Sequence, residues 1–429
     1  MELKDMKEIL FPYGKEKIKY SFGDELAAVL EPSLTSYIPE AGEAELVRRA
    51  MESPIGVPRL SELAKGKEKI VIIASDHTRP VPSKLIIPPM LREIREGNPQ
   101  ADITILIATG CHRGTTKEEL ASKFGEDIVK NEKIYIHDCD ESDMLVSIGT
   151  LPSGGECVIN RLAAEADLLV SEGFIEPHFF AGFSGGRKSV LPGVAGRRTV
   201  LANHCSEFID HPRARTGILE GNPIHEDMLW AAKKAELAYI VNVVLDAEKK
   251  VIYAVAGEPE EAHKKGTDFL FSLCGAEAVD ADIVITTNGG YPLDQNMYQA
   301  VKGMTAAEAT VRRGGVIIML AESGDGIGGD HFYHQLADEP DIDKTMSEFL
   351  SRGRDETVPD QWQTQILLRI LGHASVIYVS GMSDEIVKEM HMIPAHSIEE
   401  ALGIAKNIVG EGARIAAIPD GVSVMIRKN

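Results

Sequence analysis

Tryptophan, cysteine and positive charge are all scarce in this chain. Its 429 residues include two Trp and five Cys, and 45 Lys plus Arg stand against 66 Asp plus Glu, a formal net charge of −21. A chain this acidic lacks the clustered cations that neutralise a phosphate backbone, which excludes a nucleic-acid partner. It is also repelled by an anionic membrane surface. No run approaches the roughly 18 unbroken apolar residues of a membrane span. The opening MELKDMKEILFPYGKEK is interrupted by charge throughout, so it does not read as a secretory leader. Cys111, Cys139, Cys157, Cys205 and Cys274 are odd in number and scattered, with no CxxC pair. That usage fits reduced thiols in a cytoplasm. Two motifs are missing as well: HExxH and the glycine spacing of a Walker loop. Their absence counts against a standard zinc hydrolase and a P-loop enzyme respectively.

What is present is a regular alternation. Short β-branched runs at 69–74, 103–108, 133–136, 167–170 and 239–245 read as buried parallel strands, and a second set follows at 282–286, 316–320, 375–379 and 413–418. Helical segments such as 84–95, 117–124 and 305–313 lie between them. The pattern predicts an α/β protein of two domains with mainly parallel, helix-covered, Rossmann-like sheets. The domain boundary is expected within 265–280, giving an N-terminal domain 1–272 and a C-terminal domain 273–429. The unusual polar clusters all follow strand ends: DHTRPVP (76–82), TGCHR (109–113), SEGFIEPHF (171–179), TNGGYPLDQN (287–296) and AESGDGIGG (321–329). Ligands of doubly wound sheets bind outside the carboxyl ends of strands. The clusters are therefore expected to converge on an active site in the interdomain cleft.

The richest stretch is EPHFFAGFSGGRKSVLPGVAGRRTVLANH, from Glu176 to His204. Ser184, Gly185 and Gly186 form a turn whose backbone N–H groups could wrap a phosphate, with Arg187 and Lys188 following. The alternative is an ordinary basic turn. Lys188 beside a second cation reads either as a nucleophile of depressed pKa or as a phosphate ligand. His112, His178 and His204 taken singly could each be structural histidines; three at loops expected to meet suggest proton transfer or metal ligation. Arg79 can grip a carboxylate bidentately, or pair with Asp76 within its own loop. Tyr298 and Lys302 stand i,i+4 on one helical face, with Gln299 beside them. Trp362 is read either as an apolar wall of a pocket or as core.

Taken together, DHTRPVP, ATGCHRGTTKEEL, EPHFFAGFSGGRKSVLPG, Asn203–His204 and YQAVKGMTAAEA resemble the nickel-dependent lactate racemase family, in order and across both halves of the chain. The resemblance implies a cytoplasmic isomerase that interconverts D- and L-2-hydroxy acids, lactate first, by hydride abstraction and return. It implies nickel and a nickel-pincer nucleotide, pyridinium-3-thioamide-5-thiocarboxylic acid mononucleotide. Separate maturation proteins install this group, so a chain produced without them lacks it. By the same resemblance Lys188 carries the covalent link, His204 ligates nickel, and His112 and His178 are paired acid/base groups. Asp76, Ser184, Gly185 and Gly186 fall to the cofactor side, and Arg79, Tyr298, Gln299, Lys302 and Trp362 to the substrate. The alternatives are malate or another 2-hydroxy acid, epimerisation at another hydroxylated carbon, a nicotinamide-dependent dehydrogenase and a non-catalytic nucleotide-binding protein. A homo-oligomer is compatible with all of these.

Overall fold

β-Branched runs flanked by polar turns do become the parallel strands of two sheets. The computed structural model describes residues 6–427, which group into two compact units. One comprises Leu34–His204 and His211–Leu273; the other takes the residues up to Ser33, Cys205–Asp210, and those from Cys274 onward.

In the first unit a six-stranded sheet has the spatial order Val251–Gly257, Leu237–Leu245, Leu168–Phe174, Lys69–Ser75, Asp102–Ala108, Lys133–Ile136. All neighbours are parallel except the Val251–Gly257 edge, which is antiparallel to Leu237–Leu245. The chain moves outward from Lys69–Ser75 to one side, then returns to Leu168–Phe174 on the other. A crevice therefore opens at the carboxyl ends of these two strands, where ligands bind in such sheets. Ile70, Ile72, Ile105, Val170, Val241 and Val243 are buried between the sheet and its helices. At about 25 cal/mol per Å² of apolar area removed from water, this burial is the main stabilising term.

In the second unit the order is Ile393–Ala395, Ser375–Val379, Val311–Leu320, Ala281–Thr287, Ile415–Ile418, Leu26–Val29, parallel throughout. The last strand corrects the expected 1–272 domain. Leu26–Val29 extends the C-terminal sheet at its edge, and Ile9, Phe11 and Phe22 of the preceding hairpin bury into that sheet's core. Short strands at 7–29 carry no helix period and no signal of which sheet they will join, so sequence order misassigned them.

A second correction concerns the helix expected at 305–313. The helix is Met297–Glu308, and Val311 already belongs to a strand. Asn296 caps the helix start by accepting the Gln299 N–H at 2.9 Å. Met297, Ala300, Val301, Met304 and Ala307 then give one buried stripe at helical spacing.

Candidate active site

The loop 76–82 leaves the central strand of the first unit at the crevice, and its Asp76 is paired across to the next loop. Asp76 Oδ2 lies 2.7 Å from His112 Nδ1, with side-chain exposures of 1% and 44%. Thr78 donates to the other oxygen through both its N–H (3.1 Å) and its Oγ1 (2.7 Å). Burial alone would raise the Asp76 pKa, but the hydrogen bonds from His112 and Thr78 outweigh it and hold the carboxyl below its usual range. An ionised Asp76 makes Nδ1 of His112 the protonated nitrogen and turns Nε2 outward as the proton-accepting atom. Arg79 makes no ion pair with Asp76; it is exposed on the same loop.

The second cluster is built by the segment after Leu168–Phe174. Pro177–His178 and Gly182–Phe183 form a two-residue antiparallel ladder, which folds the chain back so that Lys188 returns towards His178. The His178 ring stacks on Phe179 (5.2 Å) and meets Phe180 edge-on (4.5 Å). Its Nδ1 accepts the Ala181 N–H at 3.3 Å, which leaves the ring proton of the neutral form on Nε2. Phe180 also contacts His204, ring to ring at 5.1 Å, and the Lys188 ammonium, 5.9 Å from its ring centre. The one phenyl ring thus gathers His178, Lys188 and His204.

His204 closes the helix Arg197–Asn203. Its Nδ1 donates to Val200 O at 2.9 Å, and burial, helped by the Lys188 charge, pushes its pKa down to about 3. A buried imidazole held neutral with its lone pair on Nε2 is the state in which histidine ligates a metal. This donor set fits a nickel-bearing group attached at Lys188.

The Gly-rich turn differs from its expected role. Ser184 N donates to Glu176 O (3.0 Å), Ser184 Oγ to Phe174 O (3.0 Å), and Gly186 N to Asn242 Oδ1 (2.8 Å). These donors are spent inside the fold, so they do not form an open phosphate cradle. Instead the turn sets the course of the chain into Lys188. Gly185 and Gly186 have φ of +77° and +53°, and a Cβ on Gly186 would sit 2.9 Å from the His263 ring. Arg187 is fully buried, bonding Ala181 O at 2.7 Å and Gly185 O at 3.3 Å. It ties the turn together.

In the second unit, Tyr298, Gln299 and Lys302 occupy the first two turns of Met297–Glu308. Lys302 Nζ donates to Gln299 Oε1 at 2.6 Å. Trp362, at the start of Gln361–Leu371, and Asp360 both hydrogen-bond the Tyr298 hydroxyl; burial first, then the Asp360 charge, raises the Tyr298 pKa. Trp362 is half-buried, so it is not a core residue.

Comparison with known proteins bears on both halves. The family model of the lactate racemase N-terminal domain matches residues 13–217, and that of the lactate racemase C-terminal domain matches 276–426. The chain belongs to the lactate racemase family. The family's lactate racemase from Thermoanaerobacterium thermosaccharolyticum is 56% identical over 425 residues, covering 99% of this chain and all of that one. The lactate racemase of Lactiplantibacillus plantarum is 53% identical over 424 residues, 98% of this chain and all of that one. The structure of the Thermoanaerobacterium lactate racemase apoprotein superposes with a TM-score of 0.95, covering 98% of this chain and all of that one. A Thermotoga maritima crystal structure, 18% identical with a TM-score of 0.63 over 92% of this chain and all of that one, shares the fold. No helix among the described residues of this family member is long and apolar enough to cross a membrane.

Sequence reasoning missed several residues that shape this candidate site. Phe180 read as one apolar residue among many, Val200 acts through its backbone, and Asn242 lies in an apolar strand. Only the lone Asn within YIVNVVL offered a signal, a polar side chain in a run that is otherwise buried.

The Asp76–His112 contact carries a prediction. Asp76→Asn keeps the shape but removes the charge that fixes the His112 tautomer. Loss of such a supporting partner typically costs about 10- to 100-fold in activity. Holoenzyme kinetics, normalised to cofactor content, should show that drop in kcat; wild-type kcat in Asp76→Asn would contradict it.

Acid stability carries another. Burial lowers the pKa of His137, of His225 (to about 3, with Arg187 contributing) and of His263. Each therefore binds its proton more readily in the unfolded chain, starting near the ordinary value of 6.5. Stability is full above that pH and falls as pH drops from about 6.5 toward 3, by up to about 1.4 kcal/mol per pH unit for each group. Burial raises the pKa of Glu172 and of Asp360, which acts in the opposite sense, two carboxyl groups against these three histidines. The Tm of the cofactor-free protein should be lower at pH 5 than at pH 7; an equal or higher Tm at pH 5 would contradict the assignment.

Proposed function

We propose that this chain racemises lactate, breaking the bond between C2 and its hydrogen on one enantiomer and remaking it on the opposite face of the planar 2-keto acid. The observation that carries the reading is the grouping of Lys188, His178 and neutral, buried His204 around Phe180, in a chain 56% identical to a lactate racemase along its whole length. Lys188 would hold a nickel-pincer nucleotide covalently, and Nε2 of His204 would ligate its nickel. When bound, that group supplies a reversible hydride acceptor, which no side chain of the protein can provide.

The protein's own residues do the rest. His112 and His178 move the hydroxyl proton, one imidazole as base and the other as acid, and exchange roles when the opposite enantiomer reacts. Asp76 keeps Nε2 of His112 available for that transfer. Arg79 holds the substrate carboxylate, which stays fixed while the keto group turns. In the second unit Gln299 orients the Lys302 ammonium, and Tyr298 and Trp362 stand with them as proposed substrate-contacting residues. Separate maturation proteins would install the cofactor, and the chain would work in the cytoplasm.

The test is a panel of single-enantiomer 2-hydroxy acids incubated with holoenzyme and no nicotinamide cofactor, followed by chiral chromatography. D-Lactate should appear from L-lactate, and the reverse, up to a 1:1 mixture. Racemisation of malate or another acid with lactate untouched would overturn the substrate assignment. A requirement for added NAD would overturn the reaction class.

A further inference from the structure

Both ends of the loop that carries Asp76 and Arg79 are held by one carboxylate oxygen. Glu172, in the strand Leu168–Phe174, is 3% exposed. Its Oε1 accepts from the Ser75 N–H and Oγ at 3.3 Å each and from Ser83 Oγ at 2.7 Å. Ser75 ends the strand Lys69–Ser75 and Ser83 begins the helix Ser83–Gly97, so the intervening DHTRPVP starts and finishes on the same atom. A second side chain grips the loop from within: Lys123, in the last turn of Lys117–Phe124, donates to Arg79 O at 3.1 Å and Val81 O at 3.4 Å. Pro80 and Pro82 have no N–H to offer. The only hydrogen bonds of the loop to itself are at its start, from Thr78 and Arg79 to Asp76.

Neither ion is cheap to keep there. A buried carboxylate or a largely desolvated ammonium without a partner costs several kcal/mol, and the two sit close enough for each charge to bear on the other. Apolar residues of similar volume would fill the same space without that cost. What they could not do is grip backbone carbonyls on one side of the loop and both loop ends on the other.

We propose that Glu172 and Lys123 are positioning residues that place Arg79, and through it set the affinity of the site for the substrate carboxylate. The proposal rests on the reading of Arg79 as a carboxylate ligand. Arg79 is exposed at the tip of a loop without regular structure, and a misplacement of about 1 Å in such a group can cost about 10²-fold.

Holoenzyme variants test this through the division between KM and kcat. Glu172→Leu and Lys123→Met should each raise the KM for lactate on the order of tenfold, with kcat changed much less. Glu172→Gln keeps an acceptor oxygen for Ser75 and Ser83 and should restore KM to within about threefold of wild type. In an Arg79→Ala background, adding Lys123→Met should change KM by less than about twofold, since no guanidinium remains to be placed. If Glu172→Leu fails to fold, Lys123→Met, the more exposed partner, decides. Folded variants with wild-type KM, or a Lys123→Met effect as large without Arg79 as with it, would overturn the proposal while leaving the Arg79 reading intact. Unaltered KM in Arg79→Ala alone would remove that reading, and the proposal with it.

Discussion

Lys188→Arg is expected to lose lactate racemisation by about 10⁶-fold or more, down to assay background. The argument is chemical. Arginine keeps the charge, the length and the contact with the Phe180 ring, and its guanidinium would still favour a phosphate. It cannot form the amide-type link expected of a lysine amine, because it stays protonated. Hydride transfer would be left without an acceptor, and the reaction would fall to its uncatalysed rate. If Lys188 were a simple anion ligand, arginine would retain a substantial part of the activity. Steady-state racemisation by Lys188→Arg and Lys188→Ala, produced with the maturation proteins, separates the two. Near-background rates in both variants support attachment; activity in the arginine variant within about tenfold of wild type contradicts it.

His112→Ala and His178→Ala are each expected to reduce kcat by about 10²- to 10⁴-fold, in both directions of the reaction. Each direction needs one imidazole to take a proton and the other to give one, so removing either member stops both. For the same reason the double variant should be little slower than the slower single variant, as for groups acting as a unit. Single variants that slow one direction only, or full activity in the double variant, would remove the acid/base pair. The two histidines are supported differently. Asp76 holds His112 electrostatically at 2.7 Å, whereas His178 is fixed by ring packing against Phe179 and Phe180 and by the Ala181 N–H.

Much of this was legible in the sequence, for identifiable reasons. Strands such as Lys69–Ser75 and Ser375–Val379 are buried on both faces and so read as unbroken β-branched runs. The polar loops at their ends are visible against that background. His112, His178, Lys188 and His204 stand out because their types are uncommon among glycines and aromatics.

What was not legible depends on long-range pairing. Nothing local in residues 7–29 indicates that Leu26–Val29 lies beside Ile415–Ile418. The Ser184–Gly186 turn looks like an anion cradle until Asn242, 56 residues further on, claims the Gly186 N–H. Arg79 and Asp76 are three residues apart and look like partners, yet Asp76 is taken by His112, 36 residues away. Glu172, in LLVSEGF, gave no hint that it fastens both ends of the loop between Ser75 and Ser83.

Intact mass combined with nickel analysis most directly tests the central claim, that Lys188 and His204 hold one metal-bearing group. Protein made together with the maturation enzymes should carry a mass increment and about one nickel per chain when wild type. Lys188→Arg should carry neither, and His204→Ala should retain the increment but bind nickel poorly. A wild-type chain of unmodified mass, free of nickel and fully active on lactate would contradict the account.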